Sequence, residues 1–348
     1  MAATLTDYLG AYAGADARRR DVAALVGELA KAAGRLQHLI STGATGDAGA
    51  ATGSDGDPNG GGDIQKVLDR EADRLFLDAA RAAPVAFYGS EEQDDAVPLR
   101  AEGSLALAID PLDGSSNIET NVSIGTIFSV LPVDEGHRAD PSSVFRQAGR
   151  AQLAAGFFVY GPRLMLVVTV GEGTHAFGWS PDTGTFTKLA TLSIPEKAKE
   201  YSINASNSRH WDEPVRLYIE HCLEGAEGPR GRDFNMRWVA SMVADAYRIF
   251  VRGGIYIYTG DRRKGYERGR IRLVYEANPV GFCAEQAGGA ASDGLQPILD
   301  IVPDGLHQRT PVVFGSREEV LEFARTLADP ASRAETSPLF GQRPVGGF

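Results

Sequence analysis

Apolar positions recur along the chain with two periods, and each period predicts a different kind of element. From Asp16 to Ile40, the spacing of Val22, Leu25, Val26, Leu29, Leu36 and Leu39 predicts an amphipathic helix against a core. Asp63 to Ala83 repeats that spacing with Leu68, Ala72, Leu75, Phe76 and Ala79, and Asp63 or Asp69 is its candidate N-cap. Between them, STGATGDAGAATGSDGDPNGGG (residues 41–62) holds too little apolar surface to offset the entropy of ordering. It is expected to be a loop, either a linker or a lid over a site.

Strand patterns follow. PVAFY ends at Gly89-Ser90-Glu91-Glu92, and β-type segments run from Leu105 to about Leu192. AQLAAGFFVYGPRLMLVVTV is interrupted by Gly161, Pro162 and Arg163, so it predicts two strands around a tight turn and not a membrane span. After Pro195 and the charged EKAKE stretch, strand and helix patterns alternate. EYSINAS, IYIY and RIRLVYE are expected as strands. WDEPVRLYIEHCLEG and NPVGFCAEQAGG are expected as helices, and FNMRWVASMVADAYRIFVRGG as a longer helix stopped by Gly253-Gly254. This alternation indicates an α/β layered fold. Two domains are expected, residues 1–195 and 196–348.

Composition narrows the function classes. A formal net charge of −11 over 348 residues argues against nucleic-acid binding, which needs a basic face. Cys222 and Cys283 are far apart with no metal-ligand spacing, so buried thiols in a reducing cytoplasm are expected. The N-terminal stretch carries acids and no signal-peptide pattern, and no membrane association is expected.

The candidate chemistry lies in carboxylates at element ends. Asp110 and Asp113 close the apolar run Leu105–Ile109, Glu91 and Glu92 close PVAFY, Asp63 and Asp69 flank a helix start, and Glu276 follows IRLVY. Adjacent strand residues face opposite sides, so Glu91 and Glu92 share a site only if the strand breaks at Gly89-Ser90. Clustered carboxylates suit hard divalent cations such as Mg²⁺, and two such ions roughly 3.5–4 Å apart stabilise both oxygens of a phosphoryl displacement. Gly114-Ser115-Ser116 adds hydroxyls and backbone N–H groups for an anion. A plain D-P-L-D-G turn is the alternative for that stretch. No Walker, EF-hand, G-x-S-x-G or H-E-x-x-H pattern occurs, and of the six histidines only His307 sits in suggestive company.

DPLDGSSNI followed by VSIGTIF resembles the signature of class I fructose-1,6-bisphosphatases, within the magnesium-dependent, lithium-sensitive sugar phosphatases. GDIQKVLD, YGSEE, AAGFFVYG, YSINAS, RWVASMVADAYR, GGIYIY, RLVYEANP and LHQRTPVVFGS resemble that family in its order, from about residue 16 to 325. The resemblance implies alternating α-β-α-β-α layers. It implies metal ligation by Asp63, Asp69, Glu91, Glu92, Asp110, Asp113, Glu276 and the carbonyl of Leu112, with two or more Mg²⁺ ions per subunit or Mn²⁺ in their place. It implies that Asp69 and Glu92 help deprotonate a metal-bound water, with Asp63 and Asp113 in the same catalytic group, and that Gly114-Ser115-Ser116 holds the 1-phosphate. The loop before Asp63 then reads as a lid that delivers this residue. Asn204, Arg237, Tyr258 and Arg270 correspond to the distal-phosphate site and Met242 to the sugar pocket, with Arg237 reaching a neighbouring subunit of a homotetramer. The implied reaction is hydrolysis of fructose 1,6-bisphosphate to fructose 6-phosphate; sedoheptulose 1,7-bisphosphatase is the alternative, and a non-catalytic sugar-phosphate sensor a remoter one. Arg270 stands where many members have Lys, and Trp238 and Asn207 stand where Tyr is usual. The AMP-site pattern of the animal enzymes and the redox loop of the plastid enzymes have no counterpart.

Overall fold

The computed structural model describes residues 3–42 and 61–328, so the Gly-rich loop expected over residues 41–62 falls almost wholly outside the described residues. The first half opens with helices α1 (Leu5–Ala13), α2 (Ala17–Thr42) and α3 (Gly61–Ala82). Strands β1 (Val85–Ser90), β2 (Val97–Pro98), β3 (Leu105–Asp113) and β4 (Ile124–Pro132) follow. A short helix α4 (Glu135–Ala139) then precedes β5 (Ala154–Tyr160), β6 (Leu164–Thr169), β7 (Thr174–Ser180) and β8 (Thr185–Leu192). These strands form one sheet in the order β2-β1-β3-β4-β5-β6-β7-β8. Apart from the parallel pair β1–β3, its strand pairs are antiparallel.

The second half is built from β9 (Glu200–Ser202), α5 (Glu213–Leu223), β10 (Asn235–Met236), α6 (Met242–Arg252), β11 (Ile255–Tyr258), β12 (Ile271–Arg272), α7 (Asn278–Gln286), β13 (Ala290–Ser292), β14 (Arg309–Thr310), β15 (Val312–Gly315) and α8 (Arg317–Ala328). Five of its strands make a sheet in the order β10-β9-β11-β15-β13, and β12 pairs with β14.

Three apolar clusters stack these elements into layers. Val22, Leu25 and Phe76 of α2 and α3 pack on one face of the first sheet with Leu107 and Phe158. The other face, with Ile127, Phe157 and Val167, meets Val243 and Phe250 of α6, Val280 and Cys283 of α7, and Tyr256 and Phe314 of the second sheet. Ile257 and Val313 on the far face of that sheet are covered by Tyr218 and Phe323 of α5 and α8. The order is α-β-α-β-α, as the resemblance implied. Strands buried on both faces read as continuous apolar runs, which explains LALAI and LMLVV.

Four local expectations need correcting. The helix expected over FNMRWVASMVADAYRIFV starts only at Met242; Asn235 and Met236 form an edge strand, and Ala240 turns at φ 65°, which no helix accommodates. RIRLVYE is a strand only at Ile271–Arg272, after which Leu273–Ala277 form a π-helical turn running straight into α7. EYSINAS is extended only through Ser202 before Ala205–His210 form a 3-10 helix capped by Asn204. Asp63 and Asp69 are not N-caps, because α3 begins at Gly61. Helix α1 went unpredicted, although Thr4 and Asp7 form a reciprocal capping box at its start.

Candidate active site

The site begins with a slip of register. Asp110 pairs with Ile127 of β4, while Asp113 pairs with Gly125, so three steps along β3 match two along β4. Residues three apart on a regular strand face opposite sides; one extra residue brings both carboxylates to the same side. The bulge is held by Thr126, whose hydroxyl donates to the Pro111 carbonyl at 2.8 Å and lies 2.9 Å from the Tyr160 hydroxyl. Within it, the Leu112 N–H donates to Asp110 Oδ1 at 3.0 Å.

Glu276 completes the core of the site from the second half of the chain. Carboxylate oxygens of Asp110, Asp113 and Glu276 lie within 4.8 Å of one another, all three residues buried. The π-helical turn places Glu276 there, with its carboxylate accepting from the Arg272 N–H. Asp113 Oδ2 in turn accepts from the Val243 N–H at 3.4 Å, in the first turn of α6.

Burial is the largest influence on all three groups and pushes their pKa values up. For Asp110 the neighbouring Glu91, Asp113 and Glu276 charges add to it, and for Glu276 those of Glu91 and Asp113. For Asp113 burial, opposed by the Val243 N–H, leaves a value of about 7. Burying mutually repelling carboxylates costs free energy unless a cation neutralises them. An all-oxygen donor set with this charge fits a hard divalent ion.

Glu91 and Glu92 follow the end of β1 at Ser90, so the break needed for them to share a site is present. The Glu91 N–H donates to the Ile109 carbonyl at 3.1 Å, which fixes Glu91 beside Asp110, and its carboxylate pairs with Arg272 at 3.2 Å. Glu92 lies at the rim, where partial desolvation and then Asp69 and Glu91 raise its pKa. Asp69, on α3, is raised chiefly by burial and accepts a hydrogen bond from the Ser115 hydroxyl. The backbone of Asp63 lies on α3, and its side chain is outside the described ones.

Gly114 occupies the left-handed region at φ 75°, where glycine is favoured, and turns the chain into a 3-10 helix over Ser115–Asn117. Asn117 Nδ2 ties this turn to the Ala240 carbonyl at 2.8 Å. The buried Ser241 hydroxyl lies against Gly114 and has no hydrogen-bond partner. Met242 follows, buried at the start of α6.

A second pocket collects Asn204, Tyr258 and Arg270 from separate segments. Arg237 does not line it: the side chain is exposed after the edge strand β10 and donates to its neighbour's carbonyl, that of Met236, at 3.2 Å. Trp238 stacks on Tyr256 at 6.0 Å between centroids and tilts against Tyr258 at 6.3 Å. Sequence reasoning missed Arg263 and Tyr266, which line the same pocket, because no motif marks them. It also missed buried Asp73, four residues after Asp69, which accepts from Tyr88, Ser90 and Gln93, each at 2.7 Å. The i, i+4 spacing on one helix face was the signal available for Asp73. His307 bridges the Tyr275 hydroxyl and the Gln93 carbonyl, both at 2.9 Å. Cys222 and Cys283 are free and buried, and no helix among the described residues is long and apolar enough to cross a membrane.

Comparison with known proteins identifies the family. A family model described as the N-terminal domain of fructose-1-6-bisphosphatase matches residues 15–191, and the C-terminal domain model matches residues 194–328. Fructose-1,6-bisphosphatase class 1 of Rhizobium meliloti (strain 1021) is 54% identical over 343 residues, covering 98% of each chain. The protein of the same description from Nitrobacter vulgaris is 50% identical over 345 residues, covering 98% of this chain and 97% of its own. Crystal structures of Leishmania major fructose-1,6-bisphosphatase in apo form and in T-state superpose with TM-scores of 0.82 and 0.83 at 30% identity, covering 94% and 96% of this chain and 100% and 99% of theirs. The chain belongs to the class 1 fructose-1,6-bisphosphatase family.

Proposed function

We propose that this phosphatase hydrolyses the 1-phosphate of fructose 1,6-bisphosphate, using the Asp110–Asp113–Glu276 cluster as its metal centre. The observation that carries the reading is the convergence of three buried carboxylates beside the turn that Gly114 leads into Ser115–Asn117. Glu91, Glu92, Asp63, Asp69 and the Leu112 carbonyl are the further ligands that the resemblance implies. Mg²⁺ is the natural occupant of such an oxygen site, with Mn²⁺ an acceptable substitute. When bound, the cation supplies Lewis-acid stabilisation of the phosphoryl oxygens.

The chain's own groups do the rest. Ser115 and Ser116, with the backbone N–H groups after Gly114, hold the phosphate, and the unpartnered Ser241 hydroxyl adds a donor. Burial raises the proton affinity of both Asp69 and Glu92, helped at Asp69 by the Glu91 charge and at Glu92 by those of Asp69, Glu91 and Asp73, which suits a pair that takes a proton from the attacking water. The pocket of Asn204, Tyr258 and Arg270 receives the distal phosphate and so fixes the sugar between two anchors, with Met242 beside it.

Arg237 serves a neighbouring subunit in this reading. Its exposure just after the edge strand β10, near exposed Met236 (44%) and Val239 (40%), supports an oligomer that covers this edge, with a homotetramer as the expected form. The buried free thiols suit the cytoplasm.

Purified protein is expected to release phosphate from fructose 1,6-bisphosphate with Mg²⁺ and to stop when the metal is chelated. Undiminished turnover in chelator would overturn the metal-centre reading.

A further inference from the structure

The loop joining β11 to β12 carries an arginine that the family signature does not assign. It faces a cleft whose walls include Asn204, Asn207, Tyr258, Arg263, Tyr266 and Arg270. The guanidinium carbons of Arg263 and Arg270 lie 4.4 and 5.3 Å from the centroid of the Tyr266 ring, so one aromatic platform holds both cations. Arg263 Nη2 reaches across the cleft to donate to Asn207 Oδ1 at 3.1 Å. Asp261 pairs with Nε and Nη2 of the same guanidinium. These partners leave Nη1 open.

We infer that Arg263 is a second guanidinium ligand of the distal phosphate and a determinant of preference for doubly phosphorylated sugars; this rests on the reading of the cleft as the distal-phosphate site. The charge balance favours it. The charged groups lining the cleft are Arg263, Arg270 and Asp261, two cations against one anion. Alongside the Arg237 that a neighbouring subunit supplies in this reading, Arg263 offsets the carboxylate of Asp261 within the subunit and leaves the charge of Arg270 uncancelled for a phosphate dianion. Its planar fork, held against Tyr266 and Asn207, is also pre-organised, so little rotamer freedom is lost on binding.

The test compares two substrates that differ only in the distal phosphate. At saturating Mg²⁺, Arg263→Ala should lower kcat/KM for fructose 1,6-bisphosphate by about 10- to 100-fold, mainly through KM, as expected for a lost charge-assisted contact. For fructose 1-phosphate the same variant should stay within about twofold of the unsubstituted protein, since there is no distal phosphate to bind. Arg263→Lys should recover only part of the loss, because an ammonium lacks the fork. The double substitution Asp261→Asn with Arg263→Ala removes the stranded carboxylate and should recover only the part of the loss owed to that charge, the remainder, owed to the missing guanidinium contact, staying specific to the bisphosphate. Equal losses on both substrates would reduce Arg263 to a structural role, and an unchanged bisphosphate value would overturn the inference. An unsubstituted protein with no preference for the bisphosphate over the 1-phosphate would instead overturn the reading of the cleft itself.

Discussion

Asp113 and Val243 meet across the junction of the two halves of the chain: the carboxylate at the end of β3 accepts from the backbone N–H in the first turn of α6 at 3.4 Å. The contact places the positive end of a helix against one member of a repelling acidic cluster. Close approach is possible because Gly125 has no side chain; a Cβ there would lie 2.4 Å from Val243 Cγ2 and 2.5 Å from the Phe158 carbonyl oxygen. Gly125→Ala should therefore destabilise the fold by about 1–3 kcal/mol, as over-packing does, and reduce turnover along with it. Denaturant unfolding together with kcat checks this, and a variant of unchanged stability would show that the junction yields freely.

Asp113→Asn tests the metal centre directly. It should fold and lose kcat by more than about 100-fold, beyond what substitutions of groups that merely support a ligand produce. Circular dichroism and steady-state kinetics together decide this. Near-normal kcat would remove Asp113 from the reaction.

The same substitution has an opposite effect on the metal-free protein. Asp113 titrates near 7 in the fold against an ordinary aspartate value of about 3.9, so the folded state binds the proton more tightly. The resulting stabilisation is fully present below about pH 4 and is lost as pH rises through 7. In chelator at pH 8, Asp113→Asn should thus melt several degrees above the unsubstituted chain, with the gap closing toward pH 4. Added Mg²⁺ should reverse the order. A gap independent of pH would separate Asp113 from this linkage.

Asp73 binds no part of the site itself, but Ser90, which donates to it, also accepts from the Glu92 N–H at 3.2 Å. Asp73→Ala leaves the buried hydroxyls of Tyr88 and Ser90 without this acceptor, and should cost about 1–3 kcal/mol of stability. Glu91 and Glu92 then lose their fixed placement, and the Mg²⁺ concentration for half-maximal activity should rise by about 10- to 100-fold. Metal titrations of activity measure it; an unchanged midpoint would confine Asp73 to folding.

Arg237→Ala should raise KM for fructose 1,6-bisphosphate by about tenfold with kcat within about twofold. Co-assembly with Asp113→Asn subunits supplies a neighbour that has Arg237 but no working centre. Sites with the original KM should reappear in the mixture. Their failure to do so would place Arg237 outside the neighbouring site.

The sequence and the structure diverge where long-range contacts decide the geometry. The acids at Asp110 and Asp113 were legible as a strand end, but their convergence depends on a slip against β4, a strand read separately. Glu276 was expected at the end of a strand because LVY has β-type residues; packing against the first sheet instead winds Leu273–Ala277 into a π-helical turn. The long helix expected before Gly253 failed because Asp245, buried, accepts from the Val239 N–H at 3.2 Å through both oxygens and holds the preceding chain in a turn. Layer order and the Asn204–Tyr258–Arg270 grouping followed from the family resemblance, since no local pattern joins residues so far apart. Arg263 lay beyond both, in a loop whose composition says only that it is polar.

Joining β3 to a turn that begins 160 residues after its last residue has a consequence for biosynthesis. Asp110 and Asp113 emerge from the ribosome long before Glu276, and the first sheet alone holds only part of the acidic cluster. A chain ending before Glu276 would therefore hold only Asp110 and Asp113 of the acidic cluster. If this cluster is the metal centre, hydrolytic competence would require the two halves to be docked, and the site would act as its own quality check.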